Sequence, residues 1–329
     1  MSDIRTQYRI IESGAGWVER AGRGRVRIEG ADRAAFLQAL VTNDLEQLAP
    51  GRGVYTAYLT PQGRLIADMR LYERGDHVLA DVPAALAASL VTRLDALVFS
   101  EDVRLADVTA TTSVLGVMGH GAETLLDRAL DLPPGTLAGL SVLGVAEQPS
   151  RFVARTDDAE CPIFDVFMPE AARAAVLAGF AAAGIEHVSD ALANLLRIEA
   201  GRPAFGSDMD EHTIPLEAGL VERAISLTKG CFVGQEVIVR VLHRGGGRVA
   251  RRLVRLAFEP ALTTPPAPGT TLRANGQEAG RVTSAAWSPR LERVVALGYL
   301  ARDVAEPGRD VRAMAADGEW RADVLGLAG

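Results

Sequence analysis

The chain has almost no lysine. Of its 35 lysine and arginine residues, Lys229 is the one lysine. Cysteine is nearly as scarce: Cys161 and Cys231 are the only two, some 70 residues apart. Two such thiols are not a disulfide framework, and they fall short of the four thiolates that usually hold an iron–sulfur cluster. No long basic block occurs and the net charge is −7, which argues against a dedicated nucleic-acid or anionic-membrane binder. A small anionic ligand in a local basic pocket remains compatible with that balance. The longest uncharged alanine-rich run is AAVLAGFAAAGI, from Ala174 to Ile185. It is too short to span a bilayer and reads as a buried helix. No metal motif appears, and His212 has no partner at ligand spacing. With so few cysteines, and no apolar signal core in the opening MSDIRTQYRI, a reducing cytoplasm is the expected compartment; the missing ligand set leads to the expectation of no permanently bound metal.

What is present is the make-up of a folded, water-facing protein, 48% hydrophobic and 23% charged over 329 residues. That length suffices for two or three domains. In "RVRIEG", Val26 and Ile28 share a face, and Asp32 is placed to cap a helix with Phe36, Leu37, Leu40 and Val41 on one stripe. "RLIADMRLY" alternates as a strand, which puts Asp68 and Arg70 on one face with Ile66 and Tyr72. That acid and base read as a cross-strand ion pair or a solvated face.

From about Ser113 the order strand–helix–strand–strand–helix gives the rhythm of a split βαβ, ferredoxin-like unit through about Ile185. A further helix opens after Ser189, carries Leu192, Leu195 and Leu196, and stops near Gly201. After Gly245–Gly247 short strands come close together, with turns at Asn275-Gly276 and Asp317-Gly318. The expected class is therefore α+β. Residues 1–247 would form a core of two interleaved α+β subdomains, the second roughly 113–185, and 248–329 a small all-β barrel.

Two stretches carry chemistry. In "SLTKGCFVGQEVIVRVLHRGGG" the single lysine stands two residues from Cys231, between glycines. A nearby cation or a helix N-terminus favours thiolate, and Lys229 is such a cation. The stretch after the cysteine reads as a helix, but Val237, Ile238 and Val239 argue equally for a strand. A cysteine flanked by Phe232 and Val233 also fits a buried small hydrophobe. A compact ammonium differs from a planar fork, so a lone lysine in an arginine-rich chain asks for an explanation. The second stretch, "LLRIEAGRPAFGSDMDEHTIPLEAGL", gathers Glu199, Asp208, Asp210, Glu211 and Glu217. It reads as an acidic surface loop or as carboxylates facing a pocket. A carboxylate suits an amino-pyrimidine edge, accepting from an exocyclic NH2 and a ring NH together.

With both stretches in view, the chain resembles the folate-binding YgfZ family, within the superfamily of the glycine-cleavage aminomethyltransferase (T-protein). "KGCFVGQE" is similar to that family's hallmark. "LVTNDLEQLAPGRGVYTAYLTPQGRLIADMRLY", "RIEAGRPAFGSDMDEHTIPLEAGL" and "GRVTSAAWSPRLERVVALGYL" resemble segments shared across the superfamily. The resemblance implies a three-domain cloverleaf with a C-terminal β-barrel and tetrahydrofolate, or a one-carbon derivative, at its centre. It implies a pterin contact at Glu199 and a binding set that adds Arg197, Lys229, Gln235, Glu236 and Arg240. Cys231 and Lys229 would be the functional pair, and Asp68 a further catalytic candidate. Aminomethyltransferases carry paired acids where this chain reads Ala67-Asp68.

The first expectation is a tetrahydrofolate-dependent factor that assembles or repairs iron–sulfur clusters, with client enzymes or assembly proteins as partners and, in some members, an effect on tRNA methylthiolation. The alternative is a folate-dependent aminomethyltransferase or related demethylase, with Asp68 near the folate nitrogen. A folate-binding adaptor without turnover is the third.

Overall fold

The computed structural model describes residues 3–243, 247–315 and 318–329. Two compact units emerge: Met1–Tyr58, Ala67–Leu192 and Lys229–Phe232 form the first, and Leu59–Ile66, Ala193–Thr228 and Val233–Gly329 the second. The fold is α+β, with a closed β-barrel at its C-terminal end.

The first unit is built on two sheets. One runs Gly53–Leu59, Leu65–Glu73, His77–Pro83, Arg23–Glu29, Arg104–Asp107 in spatial order. Its strand Leu65–Glu73 is buried on both faces from Ala67 to Tyr72, so Asp68 and Arg70 do not lie on a solvated face. The other sheet runs Glu186–His187, Gly16–Glu19, Thr112–Met118, Ile163–Pro169, Arg151–Thr156, Val145–Gln148. Thr112–Met118 and Arg151–Thr156 point the same way with Ile163–Pro169 antiparallel between them, which is the split βαβ arrangement. The departure from a ferredoxin-like sheet is Gly16–Glu19, inserted beside Thr112–Met118 and parallel to Glu186–His187.

Helix Arg173–Ala183 covers the second sheet because Val176, Phe180 and Ala183 fall on one stripe and are buried. It ends at Gly184 in the left-handed region. It approaches helix Ala122–Ala129 so closely that a Cβ on Gly179 would lie 2.5 Å from the Ala129 carbonyl oxygen. The run AAVLAGFAAAGI is thus a helix with one buried face. The two sheets share an aromatic cluster: Phe152 stacks on Phe167 at 4.4 Å, and Tyr72 lies against both.

Helix Arg33–Leu40 forms as expected, but Asp32 makes no side-chain cap. Its carboxylate accepts instead from the Asp102 amide, and the Asp102 carboxylate accepts from the Ala31 amide. Two loops are tied to each other at the cost of a cap. The segment after Cys231 is helix Gln235–His243, which settles the helix-or-strand question for its β-branched run.

In the second unit the barrel strands follow the order Arg251–Phe258, Arg293–Ala301, Gln277–Ser288, Thr271–Ala274, Asp310–Ala315, Gly318–Leu327, and the last pairs again with the first. Closure leaves no free sheet edge. Asn275 and Gly276 both take positive φ, the geometry of a tight hairpin turn. Asp317 of the other expected turn, and Gly245 and Gly246, lie outside the described residues. Among the described residues no helix is long and apolar enough to cross a membrane.

Candidate active site

Asp68 sits at one end of a buried chain of charges in the first unit. Its Oδ2 accepts from the Tyr55 hydroxyl at 3.2 Å and lies 3.6 Å from Arg23 Nη1. Arg23 Nε grips both oxygens of Asp81, at 3.1 and 3.2 Å. Asp81 reaches Arg70, Arg70 reaches Asp158 at 2.6 Å, and Asp158 reaches Arg20, which holds Asp165 at 2.7 Å. Burial works against the charge on Arg23, but Asp81 and Asp68 overcome it and hold the guanidinium more firmly protonated than usual. Asp68 is 6% exposed, and its Oδ1 is buried with no hydrogen-bond partner among the described residues. A buried acceptor left open costs about 1–3 kcal/mol unless a ligand proton fills it.

Lys229 is buried in the same unit. Its ammonium donates to the carbonyl oxygens of Gln38 (2.7 Å), Val41 (2.7 Å) and Asn43 (2.9 Å). The Phe232 ring lies 5.6 Å away. Burial pushes its pKa down to about 8, against the pull of the Asp44 carboxylate. Cys231, two residues on, is exposed, and Cys161 is half-buried.

Glu199 and Arg197 belong to the second unit, on helix Asp190–Glu199. The Glu199 carboxylate is buried, accepts from the Ser288 hydroxyl and faces Arg290 at 3.8 Å. Arg197 donates to Asp208 at 2.6 Å and to Ser284 at 2.9 Å. Asp208 in turn accepts from Thr283 and Ser284. The acidic stretch therefore divides. Asp208 and Glu217 are buried against Arg197 and Arg251, while Asp210 and Glu211 are exposed. Gln235 is the half-buried first residue of its helix, and Glu236 and Arg240 are exposed on it. Gly234, just before, has φ +83°, and a Cβ there would meet the Thr60 carbonyl oxygen at 2.6 Å. A separate cavity of about 620 Å³ in this unit is lined by Arg202, Glu217, Glu222, Arg223 and Arg252 among others. Neither Glu199 nor Arg197 borders it.

Sequence reading missed Tyr55, Arg23, Asp81, Asp158, Ser284 and Ser288. The one signal was Asp68 and Arg70 sharing a strand face. Their partners lie on other strands and loops, from 11 to 88 residues away along the chain, and left no local pattern.

One antiparallel sheet, one mixed sheet and a closed six-stranded barrel make up a fold shared with the glycine-cleavage aminomethyltransferases. A solved glycine cleavage system aminomethyltransferase T from Bartonella henselae superposes with a TM-score of 0.87, covering 98% of this chain and 88% of that one at 22% identity. The GCVT N-terminal domain matches residues 2–229, and the glycine cleavage T-protein C-terminal barrel domain matches 251–327. The chain belongs to the glycine cleavage T-protein family. Among curated relatives, an aminomethyltransferase of Geobacillus kaustophilus (strain HTA426) is 31% identical over 94% of this chain and 85% of its own length. One of Rubrobacter xylanophilus (strain DSM 9941 / JCM 11954 / NBRC 16129 / PRD-1) is 31% identical over 90% of this chain and 79% of its own length.

These matches correct the first functional expectation. The iron–sulfur maintenance role, with its clients and its link to tRNA modification, rested on the eight residues of KGCFVGQE. The relatives that span nine-tenths or more of the chain are named aminomethyltransferases instead.

Proposed function

We propose that this protein is a tetrahydrofolate-dependent aminomethyltransferase, moving a one-carbon unit from an aminomethyl donor to the folate with release of the amino nitrogen as ammonia. The observation that carries this reading is Asp68: a carboxylate 6% exposed, fixed at Oδ2 by Tyr55 and Arg23, with Oδ1 unpartnered. An acceptor so held is suited to take or hold a proton on a ligand nitrogen during transfer. The relatives named aminomethyltransferase supply the reaction class.

A reduced folate suits the proposed donors by their chemistry, each taken in its own unit. Glu199 is a buried carboxylate, oriented by the Ser288 hydroxyl, and would accept from the amino-pyrimidine edge. Bound tetrahydrofolate would supply the amine nitrogens that receive the carbon. Asp68 Oδ1 would face that nitrogen and take up the proton displaced from it, while Tyr55 and Arg23 fix the other oxygen of the carboxylate. Cys231, Arg197, Gln235, Glu236 and Arg240 remain proposed contributors to the same chemistry and binding.

The test is calorimetric binding of tetrahydrofolate together with methylene-tetrahydrofolate formation from an aminomethyl donor. Asp68→Asn is expected to keep folate binding and lose transfer, and Glu199→Gln to weaken binding. Wild-type protein that binds folate without transfer, or an Asp68→Asn variant as active as wild type, overturns the proposal.

A further inference from the structure

Lys229 stands out because its surroundings resemble a cation site. Three carbonyl oxygens converge on its ammonium at 2.7, 2.7 and 2.9 Å. Gln38 and Val41 lie at the C-terminal end of helix Arg33–Leu40, where carbonyls lack intrahelical partners and the helix dipole is negative. Asp44 adds a carboxylate nearby, itself held ionised by the Glu46 amide and the Gln38 side chain. A tetrahedral ammonium directs three N–H groups at three acceptors on one side. A guanidinium is a planar fork and cannot. This gives a physical reason for one lysine in a chain that otherwise uses arginine.

The cage leads to Asp68. Asn43, whose carbonyl oxygen is one wall, donates its side-chain amide to the Tyr55 carbonyl oxygen at 2.8 Å. Its backbone amide donates to the Thr56 hydroxyl at 2.9 Å. Tyr55 in turn donates its hydroxyl to Asp68. We propose that Lys229 is a tethered cation that fills an oxygen cage and, through Asn43 and Tyr55, positions the Asp68 carboxylate. The cage stands on its own geometry; its consequence for transfer rests on the function proposed above. Lys229 is a positioning residue in this scheme, and the cage itself has the chemistry of a site for a primary ammonium.

The experiment begins with wild-type protein labelled with 15N-lysine. A single lysine gives a single ammonium signal. Its protons are expected to exchange slowly with water near neutral pH; exchange as fast as free lysine overturns the cage. Lys229→Ala is then examined by amide hydrogen exchange over residues 41–45 and 53–59. Faster exchange is expected, reversed by ethylammonium and not by tetramethylammonium, which has no N–H to donate. Lys229→Arg is expected to behave like Lys229→Ala. Absence of ethylammonium rescue, equal rescue by tetramethylammonium, or an arginine variant like wild type each refutes the proposal. If Lys229→Ala does not fold, the 15N signal and Lys229→Arg still decide. In the transfer assay, Lys229→Ala is expected to lose kcat with the KM for tetrahydrofolate unchanged, and ethylammonium to restore kcat. Wild-type protein without transfer activity would sink the functional reading and leave the cage standing.

Discussion

Replacing Asp81 with alanine tests whether the buried charge chain holds the first unit together. Asp81 is 1% exposed and serves two arginines at once, Arg23 at 3.1 Å and Arg70 at 3.4 Å. Removing one partner of a buried ion pair costs ~3–5 kcal/mol, because the remaining charge stays desolvated. Two details pull the expectation to the lower end. Arg70 keeps Asp158 at 2.6 Å, and Arg23 keeps the Asp81 backbone carbonyl at 2.8 Å and Asp68 at 3.6 Å. A loss of about 3 kcal/mol is therefore expected, a large share of the 5–15 kcal/mol typical of a folded domain. Equilibrium urea unfolding of wild type, Asp81→Ala and Asp81→Asn reads it out. The asparagine keeps the shape and one acceptor oxygen but not the charge, and should fall between the other two. A loss below about 1 kcal/mol for Asp81→Ala, the range of an exposed ion pair, would refute the reasoning. So would an asparagine variant less stable than the alanine.

Three further outcomes follow from the geometry. Gly179→Ala places a methyl group 2.5 Å from the Ala129 carbonyl oxygen; overpacking of about 1–3 kcal/mol should outweigh the helix-propensity gain of about 1 kcal/mol, giving a lower melting temperature by calorimetry. Gly234→Ala combines φ +83° with a 2.6 Å approach to the Thr60 carbonyl oxygen, so it should destabilise the second unit, seen as faster proteolysis near 59–66, whereas Gly206→Ala, also at positive φ but with open space around it, should do so less. Lys229 has a pKa of about 8 against its ordinary 10.5. Between those values the unfolded chain holds a proton that the folded chain has released, so this group's contribution to stability rises with pH through that window. It is complete above 10.5 and lost as pH falls through 8. Lys229→Met should flatten that part of the stability–pH curve relative to wild type, and an unchanged slope would contradict it.

Many of the candidate residues were visible as residue types and not as relationships. Asp68 and Arg70 were placed on one strand face by alternation alone, and the strand Leu65–Glu73 formed where expected. That both faces of the strand are buried, and that Asp68 ends a line of three arginines and four aspartates, was not legible. Lys229 was picked out by rarity, but as a cation beside a cysteine. Its carbonyl partners lie up to 191 residues away, and backbone oxygens leave no trace in residue identity. Arg197 and Glu199 were noticed together, yet Arg197 is held by Asp208 and Ser284, the latter from a barrel strand. The KGCFVGQE motif misled at the level of function, because eight residues were weighed above the relationship of the whole chain.

The sequence by itself determined the repeating local structure: strands where apolar residues alternate, helices where they recur on one stripe, a hairpin at Asn275-Gly276, and a class of α+β with a terminal barrel. Those features depend on backbone periods of two and 3.6 residues, which short windows record. Only the tertiary structure decided which charges are buried, that Asp68 keeps one oxygen open, and that Lys229 is gripped by three carbonyls. Those facts depend on which distant segments meet when the chain closes, and on the desolvation that makes each meeting cost or stabilise.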